Sequence, residues 1–269
     1  MNNEIKGLKH LSYVFTVPWH ENAKLKQLVS MIQKDVGLQT LWKCANVMAI
    51  DRMGYTDHGP THVKIVANSA LKLLRMLMGK GVTPSIVKNY NMKNEDAEVV
   101  VVLGSVFHDL GMIVARDEHE QYGAFLALRF MEKYLPPMYA EEEMNIICSE
   151  VLHAIVSHER DRNPLTVEAG IVCVADALDM EMGRARIPFE AGKIDIHSVS
   201  ALSIEKVGIT EGVEKPIIIK ITMTNPAGVF QIDQLLKPRL KNSGLEKYIH
   251  VIAEITREKE KKILEKFEI

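Results

Sequence analysis

From residue 21 to about 190, apolar side chains recur at three- and four-residue steps, the period of helices with one buried face. The pattern predicts helices over roughly 21–33, 38–50, 60–79, 94–109, 118–134, 140–158 and 166–182. Turn formers separate them: Gly54, Gly59-Pro60, Gly81, Pro136-Pro137 and Asn163-Pro164. Pro60 suits a first helical turn, where no backbone N–H is needed, and Asp117 is placed to cap the helix after it. Segment 97–107 (AEVVVVLGSVF) is apolar almost all round and reads as a buried central helix. Near residue 190 the period shortens. Segments 197–209 and 216–224 alternate and are rich in β-branched residues, which predicts a hairpin or a pair of strands. Two strands are a thin sheet, so a further strand or chain is expected to pair with them. Helix is expected to return over 231–242 and 245–266, the last ending in alternating charges that suit a solvated face. The expected fold is mainly α, a helical body over 1–190 with a small α+β appendage over 191–269.

Composition narrows the function classes. The chain has 269 residues, of which 47% are hydrophobic and 25% charged, an ordinary globular balance. A net charge of -2 gives no overall basic field for nucleic acid. Cys44, Cys148 and Cys173 lie far apart without a CxxC pair, and read as small buried hydrophobes with no disulfide framework. The N-terminus lacks a signal-peptide core and no run of about 18 apolar residues occurs, so a cytoplasmic protein with no membrane partner is expected.

Chemistry enters where polar residues interrupt apolar stripes. His62 shares a helix face with Val66, Ala70 and Leu73. The central helix ends in His108-Asp109. His119 aligns with Tyr122, Gly123, Leu126 and Phe130, and the stripe Met144, Ile147, Cys148, Val151, Leu152, Ile155 leads to His158. Asp176 interrupts AGIVCVADALDM, in line with Ala169, Val172 and Cys173. A carboxylate buried in such a helix is costly unless it is paired or holds a cation. Two carboxylates and several imidazoles converging from different helices therefore point to one or two divalent ions: Mn, Fe, Co, Ni or Zn, with Mg at an oxygen-rich side. His58 falls outside the helix behind Gly59-Pro60, and His153 turns roughly 140° away from His158 on a helix, so both are expected behind the ligands at most.

The ordered set His62, His108-Asp109 and Asp176 resembles the signature of the HD domain. YTDHGPTHVKIV is similar to that family's first helix, VFHDLGM to its His-Asp motif and VCVADALDM to its last ligand helix, over roughly residues 50–185. His119 in HEQYGA and His158 in IVSHE resemble the extra histidines of two-metal members, whereas HERDRNPLT stands where the HD-GYP branch carries its signature. The resemblance implies a helical bundle in which His62, His108, Asp109 and Asp176 hold one ion. Asp109, His119 and His158 would hold a second, or the two histidines would stand behind a one-metal site. It further implies hydrolysis of a phosphomonoester or phosphodiester of a small metabolite or nucleotide, with Asp109 bridging the ions around the attacking water. Lys64, Arg160, Arg162, Arg184 and Arg186 are the candidates for the phosphate oxygens. A di-iron oxygenase and a non-catalytic ligand-binding regulator are the alternative readings, and a homodimer is an expected assembly.

Overall fold

The structure is a computed structural model that describes residues 13–184 and 196–256. Its helical body comprises α1 (Ala23–Lys34), α2 (Val36–Asn46), α3 (Pro60–Gly79), α4 (Ser85–Tyr90), α5 (Asn94–Phe107), α6 (His119–Tyr134), α7 (Glu141–Val156) and α8 (Val167–Leu178). The ends follow local chemistry. The Asn22, Asp35 and Thr166 side chains accept the N–H groups of Leu25, Leu38 and Ala169 at the starts of α1, α2 and α8. Pro60 opens α3 as expected. The cap assigned to Asp117 is not made: Glu118 precedes α6 in the left-handed region, φ 61°, and makes no side-chain cap.

Helix α5 is the axis of the fold. Its residues Ala97, Val99 to Leu103, Val106 and Phe107 are fully buried, and α3, α7 and α8 pack around it. Each such aliphatic side chain contributes roughly 1.5–3 kcal/mol by leaving water. The indole of Trp42 donates to the Val106 carbonyl at 3.0 Å, tying α2 to the end of α5 that carries the His-Asp doublet. Gly104 faces Ala154 on α7 and Val172 on α8, at 3.2 and 3.1 Å from where a Cβ would stand. Three helices meet there closely.

The C-terminal part departs from expectation in two places. Segment 197–209 is not all strand: Ile196–Leu202 forms α9, and β1 (Ile204–Glu211) begins only after it. The alternating Ser and apolar residues fit either state, and local bonds decide. Ser203 Oγ donates to the Val199 carbonyl one turn back, and the Gln231 amide donates to Ser200 at 2.7 Å. Segment 245–266 is not helix over its described part, because Ile249–Ile255 forms β3. It pairs parallel to β2 (Ile217–Met223), which pairs antiparallel to β1, giving the order β1-β2-β3. The free edge of β2 thus finds its partner in the same chain. Ile217, Ile219, Ile221 and Met223 face inward in strict alternation and join the same hydrophobic core as the helices.

Between β2 and β3 runs α10 (Val229–Gln231), continued through a π-type turn into α11 (Lys237–Asn242), close to the 231–242 expected. The three cysteines are free thiols, although Cys44 is exposed rather than buried. Among the described residues, no helix is long and apolar enough to cross a membrane.

Candidate metal centre

The six residues picked out by interrupted apolar stripes meet at one end of the helical body. His62 comes from the first turn of α3, and His108 and Asp109 from the break between α5 and a short 3₁₀ turn (Leu110–Ile113). His119 opens α6, His158 stands just past α7, and Asp176 sits in the last turn of α8. All six are buried. They form two groups, His62/His108/Asp176 and Asp109/His119/His158, each with one ligand-competent atom per residue within 4.8 Å of the others. Asp109 faces both. Its Oδ2 lies 3.2 Å from Nε2 of His62 and 3.2 Å from Nε2 of His108, while Oδ1 lies 3.4 and 3.8 Å from Nε2 of His119 and His158.

Backbone packing fixes this arrangement. A Cβ on Gly111 would stand 1.9 Å from the His119 carbonyl oxygen and 2.5 Å from the Gly123 nitrogen. The 3₁₀ turn after Asp109 therefore lies directly on the backbone of α6, which sets His119 against Asp109.

The chemistry of the donors asks for a cation. In each ring Nδ1 has an acceptor: Asp179 Oδ2 for His62 at 2.6 Å, the Ser105 carbonyl for His108 at 2.9 Å, the Arg116 carbonyl for His119 at 2.9 Å and the Ile155 carbonyl for His158 at 2.6 Å. A proton on Nδ1 leaves Nε2 as a lone pair. Those lone pairs point at one another, 3.0 Å apart for His62 and His108 and 3.3 Å apart for His119 and His158. Asp109 Oδ2 is buried and, among the described residues, has no donor in hydrogen-bonding geometry although two Nε2 atoms stand 3.2 Å away. With neutral rings such a set is repulsive by itself, and it becomes favourable around positive charge, whether protons or a metal ion.

Titration behaviour points the same way. Burial and Arg184 oppose a charge on His62, yet the carboxylates of Asp109, Asp176 and Asp179 around it hold the imidazole well above its ordinary range. Burial also opposes a charge on His119, and Asp109 again outweighs it upward. His158, with no carboxylate in equally close contact, is pushed down to about 4 by burial and its neighbouring rings. Burial works against ionisation of Asp109 and Asp176 too, but His108 and His58 around the first, and Arg239 and His62 around the second, keep both carboxyls well below the usual range. Carboxylates, a neutral His158 ring and two imidazoles that favour the charged form, His62 and His119, therefore meet here.

Asp109, His119, His158 and Asp176 line a cleft of about 790 Å³, whereas His62 and His108 are fully buried outside its lining. Arg160, Arg162 and Arg184 line it. Arg184 reaches furthest in, with Nη2 3.3 Å from His62 Nε2 and Nη1 donating to the Asp179 carbonyl at 3.0 Å. Arg162 pairs with Glu120, and the Arg160 side chain is half exposed. Lys64 is not brought in: its ammonium donates to the Val14 carbonyl at 3.2 Å, outside the cleft lining. Arg186 lies outside the described residues. His58 is nearer than expected, buried at the cleft wall with its ring centre 5.9 Å from that of His62, and burial pushes it down to about 3. His153 is elsewhere, accepting the Leu165 N–H at 2.9 Å.

Sequence reading missed Asp179, Arg116, Glu159 and Arg239. Asp179 follows Asp176 by three residues on the same face, a signal that was present. Arg116 and Glu159 are paired at 3.0 Å beside His119. Arg239 belongs to α11 and is buried.

The HD domain family profile matches residues 61–181 of this chain. A Methanocaldococcus jannaschii protein, the uncharacterized protein MJ1020, is 46% identical over 244 residues, which cover 91% of this chain and 93% of the relative.

Proposed function

The chain belongs to the HD-domain superfamily of metal-dependent phosphohydrolases, and from that premise we propose that it hydrolyses a phosphomonoester or phosphodiester of a small metabolite or nucleotide. The observation that carries the proposal is the single carboxylate, Asp109, with one oxygen turned to each of two buried donor groups. His62, His108, Asp109 and Asp176 would hold one divalent ion, and Asp109, His119 and His158 a second. When bound, such ions supply Lewis acidity and a water acidic enough to attack phosphorus near neutral pH.

The chain's own groups do the rest. Asp179 fixes the His62 tautomer and ring orientation through its 2.6 Å bond, and the Ser105, Arg116 and Ile155 carbonyls do the same for the other three rings. Arg184 and Arg160, on the cleft wall, would take the non-bridging phosphate oxygens as negative charge grows on them. A cleft of about 790 Å³ has room for a nucleotide-sized substrate. Mixed imidazole and carboxylate donors accept several metals, so availability would decide which is held.

The test is a screen of phosphorylated metabolites with Mn²⁺, Mg²⁺, Ni²⁺ and Zn²⁺ beside elemental analysis of protein purified without added metal. Metal-stimulated phosphate release is expected; bound metal without release from any ester would defeat the hydrolase reading.

Metal uptake should also release protons. His62 and His119 are held above their ordinary range in the metal-free protein, so each carries a proton that an ion must expel. Apparent affinity therefore rises with pH, and the released fraction shrinks above the raised values. Calorimetric titration with Mn²⁺ at about pH 6.5, in two buffers of different ionisation enthalpy, reads this directly. Identical heats in both buffers would contradict it.

A further inference from the structure

Arg239 enters the metal centre from α11, outside the family's matched region, residues 61–181. Its side chain is about one-tenth exposed. Nη2 lies 3.1 Å from Asp176 Oδ2 and 3.3 Å from Glu159 Oε2, and Nε donates to the His158 carbonyl at 3.3 Å. The other oxygen of each carboxylate faces the imidazoles: Asp176 Oδ1 stands 3.2 Å from His62 Nε2, and Glu159 Oε1 stands 3.6 Å from His119 Nε2. One planar guanidinium thus touches a member of the first group and the acidic neighbour of the second. Nη2 touches both carboxylates while Nε of the same rigid plane holds the His158 carbonyl, which fixes where Nη2 stands.

The helix that presents it is docked, not merely adjacent. Leu236 and Leu240 on either side of Arg239 are buried, and α11 packs on α8. Gly170 of α8 leaves no room for a side chain, since a Cβ there would stand 2.5 Å from the Ser243 carbonyl oxygen. The Asn242 amide donates to the Arg160 carbonyl at 2.8 Å, clamping α11 to the loop that carries His158 and Glu159. Nη2 and Nε of this guanidinium are taken up by the two carboxylates and the His158 carbonyl, at the edge of the cleft that Arg239 also lines.

We propose that Arg239 is a positioning residue of the metal centre, which binds one oxygen of Asp176 and one of Glu159 and leaves the opposite oxygen of each turned to the imidazoles. The inference rests on reading the site as a metal centre. It makes the C-terminal segment part of that centre.

The test is Mn²⁺ titration of the full chain, read as dissociation constant and stoichiometry, with melting temperatures measured without and with metal. Arg239→Ala is expected to weaken Mn²⁺ binding about 10- to 100-fold, the usual scale for a group that orients a ligand. Arg239→Lys should be weaker than the parent severalfold, because an ammonium lacks the planar fork. In an Asp176→Asn background the effect of Arg239→Ala should shrink to a few-fold. A purely structural role would lower both melting temperatures equally and leave the dissociation constant alone, which overturns the proposal. If Arg239→Ala does not fold, an unchanged dissociation constant for Arg239→Lys overturns it instead. A parent protein that binds no divalent ion at all is a different result, which removes the metal reading itself.

Discussion

Asp109→Ala is expected to empty both halves of the metal centre at once and to lower phosphate-ester hydrolysis about a thousandfold, the scale seen when a principal electrostatic stabiliser is lost. The reason is geometric. Each oxygen of this carboxylate is directed at a different pair of imidazoles, so its loss leaves the second group with imidazoles alone and the first with Asp176 as its remaining carboxylate, too little anionic charge to hold two dications. His158→Ala removes a ligand from the second group only, and should retain about half of the bound metal. The contrast between the two variants separates a bridging role from a local one. Metal content by elemental analysis and turnover of a generic aryl phosphate are the measurements, with circular dichroism to establish folding. Asp109→Ala protein with the parent's metal content and rate would end the proposed assignment of roles.

Gly111→Ala carries the second large effect, on stability. One methyl group must enter a space already held by the His119 carbonyl and the Gly123 amide, backbone atoms that no rotamer change can move. Relief requires α6 to back away from the 3₁₀ turn, which opens the packing of Ala127, Phe130 and Met131 against the core. A cost of about 3 kcal/mol is expected, or roughly 6–12 °C in melting temperature for a chain of this size. Gly79→Ala is the matched control, because nothing lies within 4 Å of a Cβ there. It ends α3, where alanine should be neutral or stabilise by a few tenths of a kcal/mol. Equal melting temperatures for the two variants would show that the close approach is not rigid.

Much of this site could be read from the chain because burial and charge conflict in sequence as they do in space. His108-Asp109 and Asp176 stand out against the apolar runs of α5 and α8, and the structure brings both to the same end of those helices. Arg239 obeys the same rule and was passed over. It is in register with Leu236, Leu240 and Ser243, all buried, but its KPRLK surroundings look like a solvated basic turn. Lys64 departs in the opposite sense: it is a candidate through nearness to His62 in sequence, yet two residues along a helix turn a side chain roughly 200° away. It reaches Val14 instead. The strand β3 was hidden for a third reason. Its apolar residues fit a helix or a strand, and only the open edge of β2, a partner distant in sequence, selects between them.

The contact between Arg239 and the His158 carbonyl spans 81 positions of the chain. During synthesis, α3 to α8 leave the ribosome well before α11, so Asp176 and Glu159 must wait for their shared guanidinium. The parallel partner of β2 is made later still. At synthesis rates of about 5–20 residues per second that interval lasts seconds. Through it the nascent polypeptide carries Asp176 and Glu159 without the cation they share and a β-edge without its neighbour, the stage at which it is most exposed to misassembly.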